Sequence, residues 1–162
     1  MATYFTSDAH FGDHRVLNLY PRPFPTVAEM DAELIRRWNT VVTADDEVWH
    51  LGDFARTARR ANEVLAQLSG RKHLVTGNND PDDVGGGWAR VAPYAEIERE
   101  GRFLVLCHYP FRSWNRQHKG ALNLHGHSHG RMKELARQFD VGVDVWDYRP
   151  VSLATLLASR KG

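Results

Sequence analysis

The sequence has one cysteine, no long apolar run and almost no net charge, and each of these absences excludes a class of protein. Cys107 has no second cysteine to pair with, so an internal disulfide is excluded and a reducing, cytoplasmic location is expected. Apolar runs reach only about five residues, whereas a membrane helix needs roughly 20, so no membrane partner is expected. Because a predicted strand begins at Thr3, we also expect no signal peptide.

Charge and composition are those of an ordinary globular protein. The formal net charge is +1 and charged residues make up 25% of the chain. The net charge therefore does not predict binding to nucleic acid, although a nucleic-acid substrate is left open. At 162 residues the chain fits one domain, 1–162, and it contains no repeat, low-complexity tract or long linker.

Strand and helix signals alternate along the first half of the chain, which predicts right-handed β-α-β units. A capping-box pattern from Thr26 to Glu29 predicts the start of a helix, and three prolines between residues 11 and 25 predict a loop before it. His50 is expected in the core, whereas His73 and His118 are expected at the surface. Predicted strands cover 3–7, 47–51, 72–76, 96–99, 102–107, 121–125 and 138–143, and further helices are predicted at 57–68 and 152–157.

Five clusters of metal-binding side chains lie where strands should end. Because ligands bind beyond the carboxyl ends of strands in open α/β sheets, we expect the five clusters to converge on one crevice. Together they offer seven good donors, too many for one tetrahedral ion and about right for two ions that share a ligand. The clusters are Asp8-Ala9-His10, Gly52-Asp53, Gly77-Asn78-Asn79-Asp80, His108 and Gly126-His127-Ser128-His129.

The order D-x-H, G-D, G-N-x-D, H, G-H-x-H resembles the calcineurin-like metallophosphoesterase superfamily, also called the purple-acid-phosphatase-like fold. The resemblance runs from Asp8 to His129 and indicates a small single-domain member. It implies an α/β fold of the metallo-dependent phosphatase type, a two-sheet β-sandwich flanked by helices. It also implies hydrolysis of phosphodiester or phosphomonoester bonds by attack of a hydroxide that bridges two metal ions.

The same resemblance implies a set of four ligands for each ion, with the Asp53 carboxylate bridging the two ions. Mixed imidazole and oxygen donors favour two divalent transition-metal ions, Mn first, with Fe, Zn, Co or Ni as alternatives. On extended backbone His127 and His129 would face the same side, as ligands of one centre require. One ion would be held by Asp8, His10, Asp53 and His129, and the other by Asp53, Asn78, His108 and His127.

One position departs from the family pattern. Asn79 stands where the family most often has a histidine that is thought to protonate the leaving group. An amide can donate a hydrogen bond to a phosphate oxygen but cannot act as a general acid, so His14 or a metal-bound water is a candidate substitute. Asp80 is expected to orient a neighbouring ligand or backbone group, and His125 to orient a ligand from outside the metal shell.

Substrate contacts are predicted from a basic and aromatic segment after His108. Arg112 and the basic residues that follow it alternate with Phe111 and Trp114, a pattern typical of a rim that binds phosphate and stacks on a base. A solvated basic loop explains the pattern equally well. The expected partner is a small phosphoester or nucleotide-type substrate.

Two other functions compete with this enzyme. Cys107 and His108 cannot form a nucleophile–base pair on a strand, because adjacent strand residues face opposite sides. The other alternative is a non-catalytic metal-binding scaffold or protein-interaction module that retains the fold. The complete set of seven donors favours the enzyme, and Asn79 favours the scaffold.

Overall fold

A computed structural model describes residues 1–160, so the last two residues of the predicted domain, 161–162, lie outside the described residues. The first half contains β1 (Thr3–Thr6), α1 (Val16–Leu19), α2 (Val27–Val41), β2 (Glu47–His50), α3 (Ala58–Leu65) and β3 (Arg71–Val75). The second half contains β4 (Arg90–Ala92), β5 (Tyr94–Arg99), β6 (Arg102–Cys107), β7 (Leu122–His125), β8 (Gln138–Asp140), β9 (Val151–Ser152) and α4 (Leu153–Ala158).

The strands form two sheets, which confirms the predicted α/β sandwich. The first sheet has the order β4-β3-β2-β1-β9 and the second the order β5-β6-β7-β8. Strands β1 to β4 pair in parallel, as do β6 with β7 and β7 with β8, so the carboxyl ends of these neighbours point to common edges. The antiparallel pairs are β1 with β9 and β5 with β6.

Alternation along the strands divides the core into two layers. In β2, Val48 packs among the helices, and its neighbour Trp49 points between the two sheets. The layer between the sheets includes Phe5, Leu104 and Leu124, all fully buried. Burying a side chain of this size stabilises the fold by about 1.5–3 kcal/mol, so these two layers fix the strand ends from which the polar clusters project.

The two main helices begin where the sequence predicts. Thr26 precedes α2 and its hydroxyl accepts a hydrogen bond from the Glu29 amide at 3.2 Å. Thr57 does the same for α3 through the Arg60 amide at 3.1 Å. Each side chain satisfies one of the free amides in the first helical turn, which is worth about 1 kcal/mol.

Several boundaries differ from the prediction. The short helix α1 interrupts the loop predicted from Phe11 to Pro25, because it lies wholly before the first of the three prolines. Strands β4 and β9 were not predicted, since three or two residues are too short to show a periodic pattern. Strand β8 ends at Asp140 rather than residue 143, because the Asp140 carboxylate accepts a hydrogen bond from the Gly142 amide and turns the chain.

The prediction for His73 is wrong. Its side chain is buried between the sheets, where the ring stacks on Trp49 at 4.3 Å and Nε2 lies 3.1 Å from a Glu47 carboxylate oxygen. Glu47 also pairs with Arg99, so a polar network inside the sandwich accommodates a histidine that the sequence pattern does not place. His50 is buried and His118 exposed, as predicted.

The helices of residues 1–160 are all too short or too polar to cross a membrane. The single cysteine, Cys107, is buried at the end of β6. Burial raises the pKa of its thiol, which disfavours the thiolate that a cysteine nucleophile needs.

Candidate metal centre

The five polar clusters meet in one place. Asp53 Oδ2 lies 3.6 Å from His10 Nε2 and 3.5 Å from His108 Nε2. Asp53 and the two histidines follow three different strands. Asp8 Oδ1 lies 3.8 Å from His129 Nε2, and Asn78 Oδ1 lies 3.2 Å from His127 Nδ1. All seven predicted donors therefore surround a common space.

Two groups of donors at this centre have the spacing of a cation site. Within each group one donor atom per residue lies within 4.8 Å of the others. The residue common to both groups is Asp8 and not the predicted bridge Asp53, so the two sites adjoin at Asp8. The groups are Asp8, His10 and His129, and Asp8, Asp53 and His108.

Unpaired buried atoms show that these donors fit a cation. Asp8 Oδ1 and His10 Nε2 are buried and have no hydrogen-bond partner within residues 1–160. His108 donates from Nδ1 to the Leu51 carbonyl at 2.7 Å, which turns its Nε2 lone pair toward Asn78 Oδ1 at 3.0 Å. Buried acceptors without donors are rare because they lose hydration without compensation, and a divalent ion would satisfy them.

The pKa values of the buried donors also fit a cation site. Burial, reinforced by the charges of Asp53 and Asp140, raises the pKa of Asp8 well above its usual range. Burial lowers the pKa of His10 to about 4, against an opposing effect of the Asp53 charge, and burial also lowers the pKa of His108. Near neutral pH both imidazoles are therefore uncharged and offer lone pairs, the form that binds metal.

The backbone at the centre is left-handed. Residues other than glycine rarely adopt positive φ, and each such position costs of order 1–3 kcal/mol unless its surroundings hold it. Five of the seven predicted ligands do so, and this geometry aims side chains at the centre from short loops. They are Asp8 (φ 59°), His10 (54°), Asp53 (56°), His127 (68°) and His129 (47°).

The extended backbone predicted for His127 and His129 is therefore wrong. The Ser128 amide donates to the Gly126 carbonyl at 2.8 Å, and the segment forms a turn. The two imidazoles reach the same centre by different routes, with His127 beside Asn78 and His129 beside Asp8.

Gly126 allows the last motif to approach the first. A Cβ at this position would overlap the Ser7 hydroxyl and lie 2.5 Å from Asp8 Oδ2. The adjacent His127 amide donates to Asp8 Oδ2 at 2.9 Å. This hydrogen bond fixes one Asp8 oxygen and leaves the other, Oδ1, facing His10 and His129.

Asp80 joins the second and third motifs. Its carboxylate accepts hydrogen bonds from the backbone amides of Gly77, Asp53 and Phe54 at 2.7, 2.9 and 2.8 Å. Burial raises the pKa of Asp80, and the three amides oppose that rise. These contacts fit the predicted orienting role.

Asn79 contacts the predicted bridging carboxylate directly. Its backbone amide donates to Asp53 Oδ1 and its side-chain amide to Asp53 Oδ2, each at 2.8 Å. The side chain is also exposed to the cavity above the centre. It can therefore reach both the carboxylate and a group bound in that cavity.

A cavity of about 170 Å³ opens over the centre. Helix α1 forms one wall, and Tyr20 stacks on the His129 ring at 3.7 Å. The structure does not bring His14 or Arg112 to this cavity: His14 is exposed, and Arg112 lines another cavity with Phe111 and Met132. The lining residues are His10, Asp13, Arg15, Val16, Leu19, Tyr20, Asp53, Asn78, Asn79, His127 and His129.

Sequence reasoning missed several residues around the centre. Arg22 and Asp144 contact the motif residues from outside, and Tyr20 covers His129. The sequence shows only that Arg22 stands between Pro21 and Pro23, and its burial is visible only in the structure. His125 donates from Nδ1 to the Gly126 carbonyl and contacts Glu134 through Nε2. Its side chain therefore contacts a backbone carbonyl of the Gly126–His129 cluster.

Comparisons with known proteins agree with this geometry. A family model described as calcineurin-like phosphoesterase superfamily domain matches residues 1–142. An uncharacterized protein of Methanocaldococcus jannaschii is 34% identical, over 93% of this chain and 86% of its own length. The Gene 66 protein of Mycobacterium phage L5 is 30% identical, over 89% of this chain and 87% of its own.

Solved structures share the fold. A protein of unknown function from Aquifex aeolicus has a TM-score of 0.79 with 26% identity, and the alignment covers 98% of both chains. A structure described as a novel archaeal phosphodiesterase has a TM-score of 0.54 with 17% identity, over 88% of this chain and 82% of its own, a likeness of fold alone. The match over residues 1–142 shows that this chain belongs to the calcineurin-like phosphoesterase superfamily.

Proposed function

We propose that this chain is a dinuclear metal-dependent phosphoesterase that hydrolyses phosphodiester or phosphomonoester bonds. Membership of the family supports hydrolysis of phosphoester bonds in general. The observation that carries the more specific proposal is the pair of buried atoms Asp8 Oδ1 and His10 Nε2, which have no hydrogen-bond partner within residues 1–160. His10 Nε2 lies beside Asp53 Oδ2, and His10 and Asp53 line an open cavity. A divalent cation is the group that this arrangement of donors fits.

The position of Asp53 Oδ2 between His10 and His108 supports its proposed role as the bridge between two ions. Bound ions of this kind polarise a phosphoryl oxygen and activate water as the nucleophile, so no side-chain nucleophile is needed. Imidazole and carboxylate donors favour Mn, with Fe, Zn, Co or Ni as alternatives. The proposed ligands are those of the sequence prediction: Asp8, His10, Asp53, Asn78, His108, His127 and His129.

The chain's own residues would position the phosphoryl group. The Asn79 side-chain amide lines the cavity and can donate to a phosphate oxygen. Asp80 holds the loops of Asp53 and Asn79 together through the three backbone amides. A cavity of about 170 Å³ is smaller than the 300–1,000 Å³ of typical drug-sized pockets, which supports a small phosphoester or the phosphorylated end of a larger molecule as substrate.

Turnover of bis(p-nitrophenyl) phosphate by protein loaded with Mn tests the proposal. We expect activity in the wild type, its loss in His127→Ala, and its retention in His118→Ala, a matched change of an exposed histidine outside the centre. Wild-type protein that binds metal but turns over neither this diester nor p-nitrophenyl phosphate with any of the five metals would support the scaffold alternative.

A second prediction concerns Asn79. Because an amide cannot protonate the leaving group, we expect wild-type rates to fall steeply as the pKa of the leaving group rises. Asn79→His should flatten this dependence and raise turnover of alkyl esters by about tenfold or more, since general acids typically contribute 10²–10⁴-fold. The measurement is a series of aryl and alkyl phosphodiesters with wild type and variant.

A shallow dependence in the wild type would contradict this role and indicate another acid. His14 is the first candidate from the sequence, although its side chain does not line the cavity. In that case His14→Ala, not Asn79→His, should change the slope.

A further inference from the structure

Arg22 is a fully buried arginine that ties the first motif in place. Its side chain has no exposed surface. The guanidinium donates from Nη2 to the Asp8 carbonyl at 2.6 Å and from Nη1 to the Ala9 carbonyl at 3.0 Å. Both carbonyls belong to the left-handed D-x-H segment, so Arg22 supports the backbone of a proposed metal ligand.

The same guanidinium also binds Asp144. Nε donates to Asp144 Oδ1 at 2.9 Å and Nη2 donates to Asp144 Oδ2 at 3.0 Å, a two-pronged contact between residues 122 positions apart in the chain. Asp144 lies on the segment after β8, and its side chain is only 12% exposed. Such planar contacts fix orientation as well as distance.

Asp144 in turn contacts a proposed metal ligand at the other end of the chain. Its Oδ2 lies 2.7 Å from His129 Nδ1, and the opposite nitrogen, Nε2, faces Asp8 Oδ1. A carboxylate can only accept, so Nδ1 must carry the proton and Nε2 is left as the metal-facing lone pair. His108 achieves the same tautomer through the Leu51 carbonyl.

We infer that Arg22 and Asp144 form a positioning pair that holds His129 in its Nδ1–H tautomer and sets the affinity of the site made by Asp8, His10 and His129. The inference rests on the proposed metal-binding role of His129. Arg22 fixes both Asp144 oxygens and, through the Asp8 carbonyl, sets where the opposing ligand stands. Partners of this kind outside the metal shell typically change metal affinity by about 10–100-fold.

A purely structural ion pair is the competing explanation. A buried pair of charges often contributes little net stability, because desolvation offsets the attraction. A purely structural ion pair does not explain why Arg22 also contacts the Asp8 backbone and Asp144 also contacts the His129 ring. The arrangement connects the first and last motifs through one charged network.

Asp144→Asn tests the pair with an almost isosteric change. The carboxamide offers one acceptor where the structure uses two. If the carboxamide oxygen faces His129, the NH₂ group faces the Nε–H of Arg22, so two donors oppose each other. If the carboxamide is flipped, its NH₂ group faces His129. The ring must then carry its proton on Nε2, the nitrogen that would otherwise bind the metal. We expect Mn²⁺ affinity at one of the two sites to fall by about 10–100-fold in calorimetric titrations.

Asp147→Asn is the matched control. Asp147 lies on the same segment and pairs with Arg37 and Arg149, and its side chain is 71% exposed. Mn²⁺ affinity should stay at the wild-type value. The absorption of bound Co²⁺, which reports coordination geometry, should change in Asp144→Asn and not in Asp147→Asn.

Two further measurements keep the inference testable if Asp144→Asn is poorly folded. Nitrogen NMR of the metal-free wild type should show His129 protonated at Nδ1, and an Nε2–H tautomer would overturn the inference. The double variant Arg22→Met with Asp144→Asn no longer has the Arg22 N–H groups that oppose the carboxamide NH₂ group. Its loss of Mn²⁺ affinity should therefore be smaller than the sum of the losses in the two single variants.

The outcomes separate this inference from the proposed function. Wild-type protein that binds no metal contradicts the proposed function. Wild-type protein that binds two ions, with Asp144→Asn equal to it in affinity and in Co²⁺ spectrum, overturns the positioning pair alone. A loss of affinity in Asp144→Asn that Asp147→Asn does not share supports the pair.

Discussion

Asp53→Asn should remove more bound metal than any other single ligand change and should abolish measurable phosphoesterase activity. Asp53 Oδ2 is the donor that stands between His10 and His108, so both proposed ions lose a negatively charged ligand at once. Because the ions are expected to supply several kcal/mol of transition-state stabilisation, and each 1.36 kcal/mol is tenfold in rate, we expect a loss of roughly 10³-fold or more.

Metal analysis after reconstitution with Mn measures the first effect, and initial rates with bis(p-nitrophenyl) phosphate measure the second. We expect about two ions per chain in the wild type. Asp82→Asn makes the same chemical change on an exposed loop and should match the wild type in both. One ion or none in the wild type, or two ions held normally by Asp53→Asn, would contradict the proposed bridge.

Gly126→Ala should have the largest effect on folding stability. The new methyl group would overlap the Ser7 hydroxyl, which donates to the Leu51 carbonyl at 3.0 Å, and would press on Asp8 Oδ2. Relieving the overlap means breaking a buried hydrogen bond or moving a proposed ligand. Overpacking of this kind typically lowers the free energy of unfolding by about 1–3 kcal/mol, and metal affinity should fall with it.

Urea unfolding of the metal-free protein measures the change in stability. Gly86→Ala is the control, because a Cβ there would meet only one atom, Asn62 Oδ1, at 3.9 Å and the backbone φ is not positive. Its free energy of unfolding should stay within about 0.5 kcal/mol of the wild type. Equal stability of Gly126→Ala and Gly86→Ala would show that the two motifs are not packed as closely as the structure has them.

Local patterns were enough to predict the helix starts and most strands. The hydroxyls of Thr26 and Thr57 cap α2 and α3 because a cap depends only on residues three positions apart. Strand β9 could not be predicted, since two residues carry no period and Val151 and Ser152 become a strand only by pairing with β1. His73 was misplaced for the same reason, because the groups around it come from other strands.

Part of the candidate site could also be predicted from the sequence, and part of it could not. The order of the five motifs and the apolar run before each motif placed seven donors at strand ends, and parallel pairing of neighbouring strands brings such ends together within each sheet. The sequence did not predict the left-handed backbone that aims the side chains. It predicted extended backbone at His127 and His129, and φ angles of 68° and 47° replace it.

From the sequence by itself came the seven proposed donors, through residue type and order, and the family and the sandwich fold, through the resemblance of the ordered motifs to that family. Only the tertiary structure decided which atoms within residues 1–160 are buried without a partner, and that Arg22 and Asp144 connect Asp8 to His129. The physical reason is distance along the chain. A contact across 122 residues leaves no periodic trace in the sequence, and whether a buried atom lacks a partner depends on every neighbour that folding brings to it.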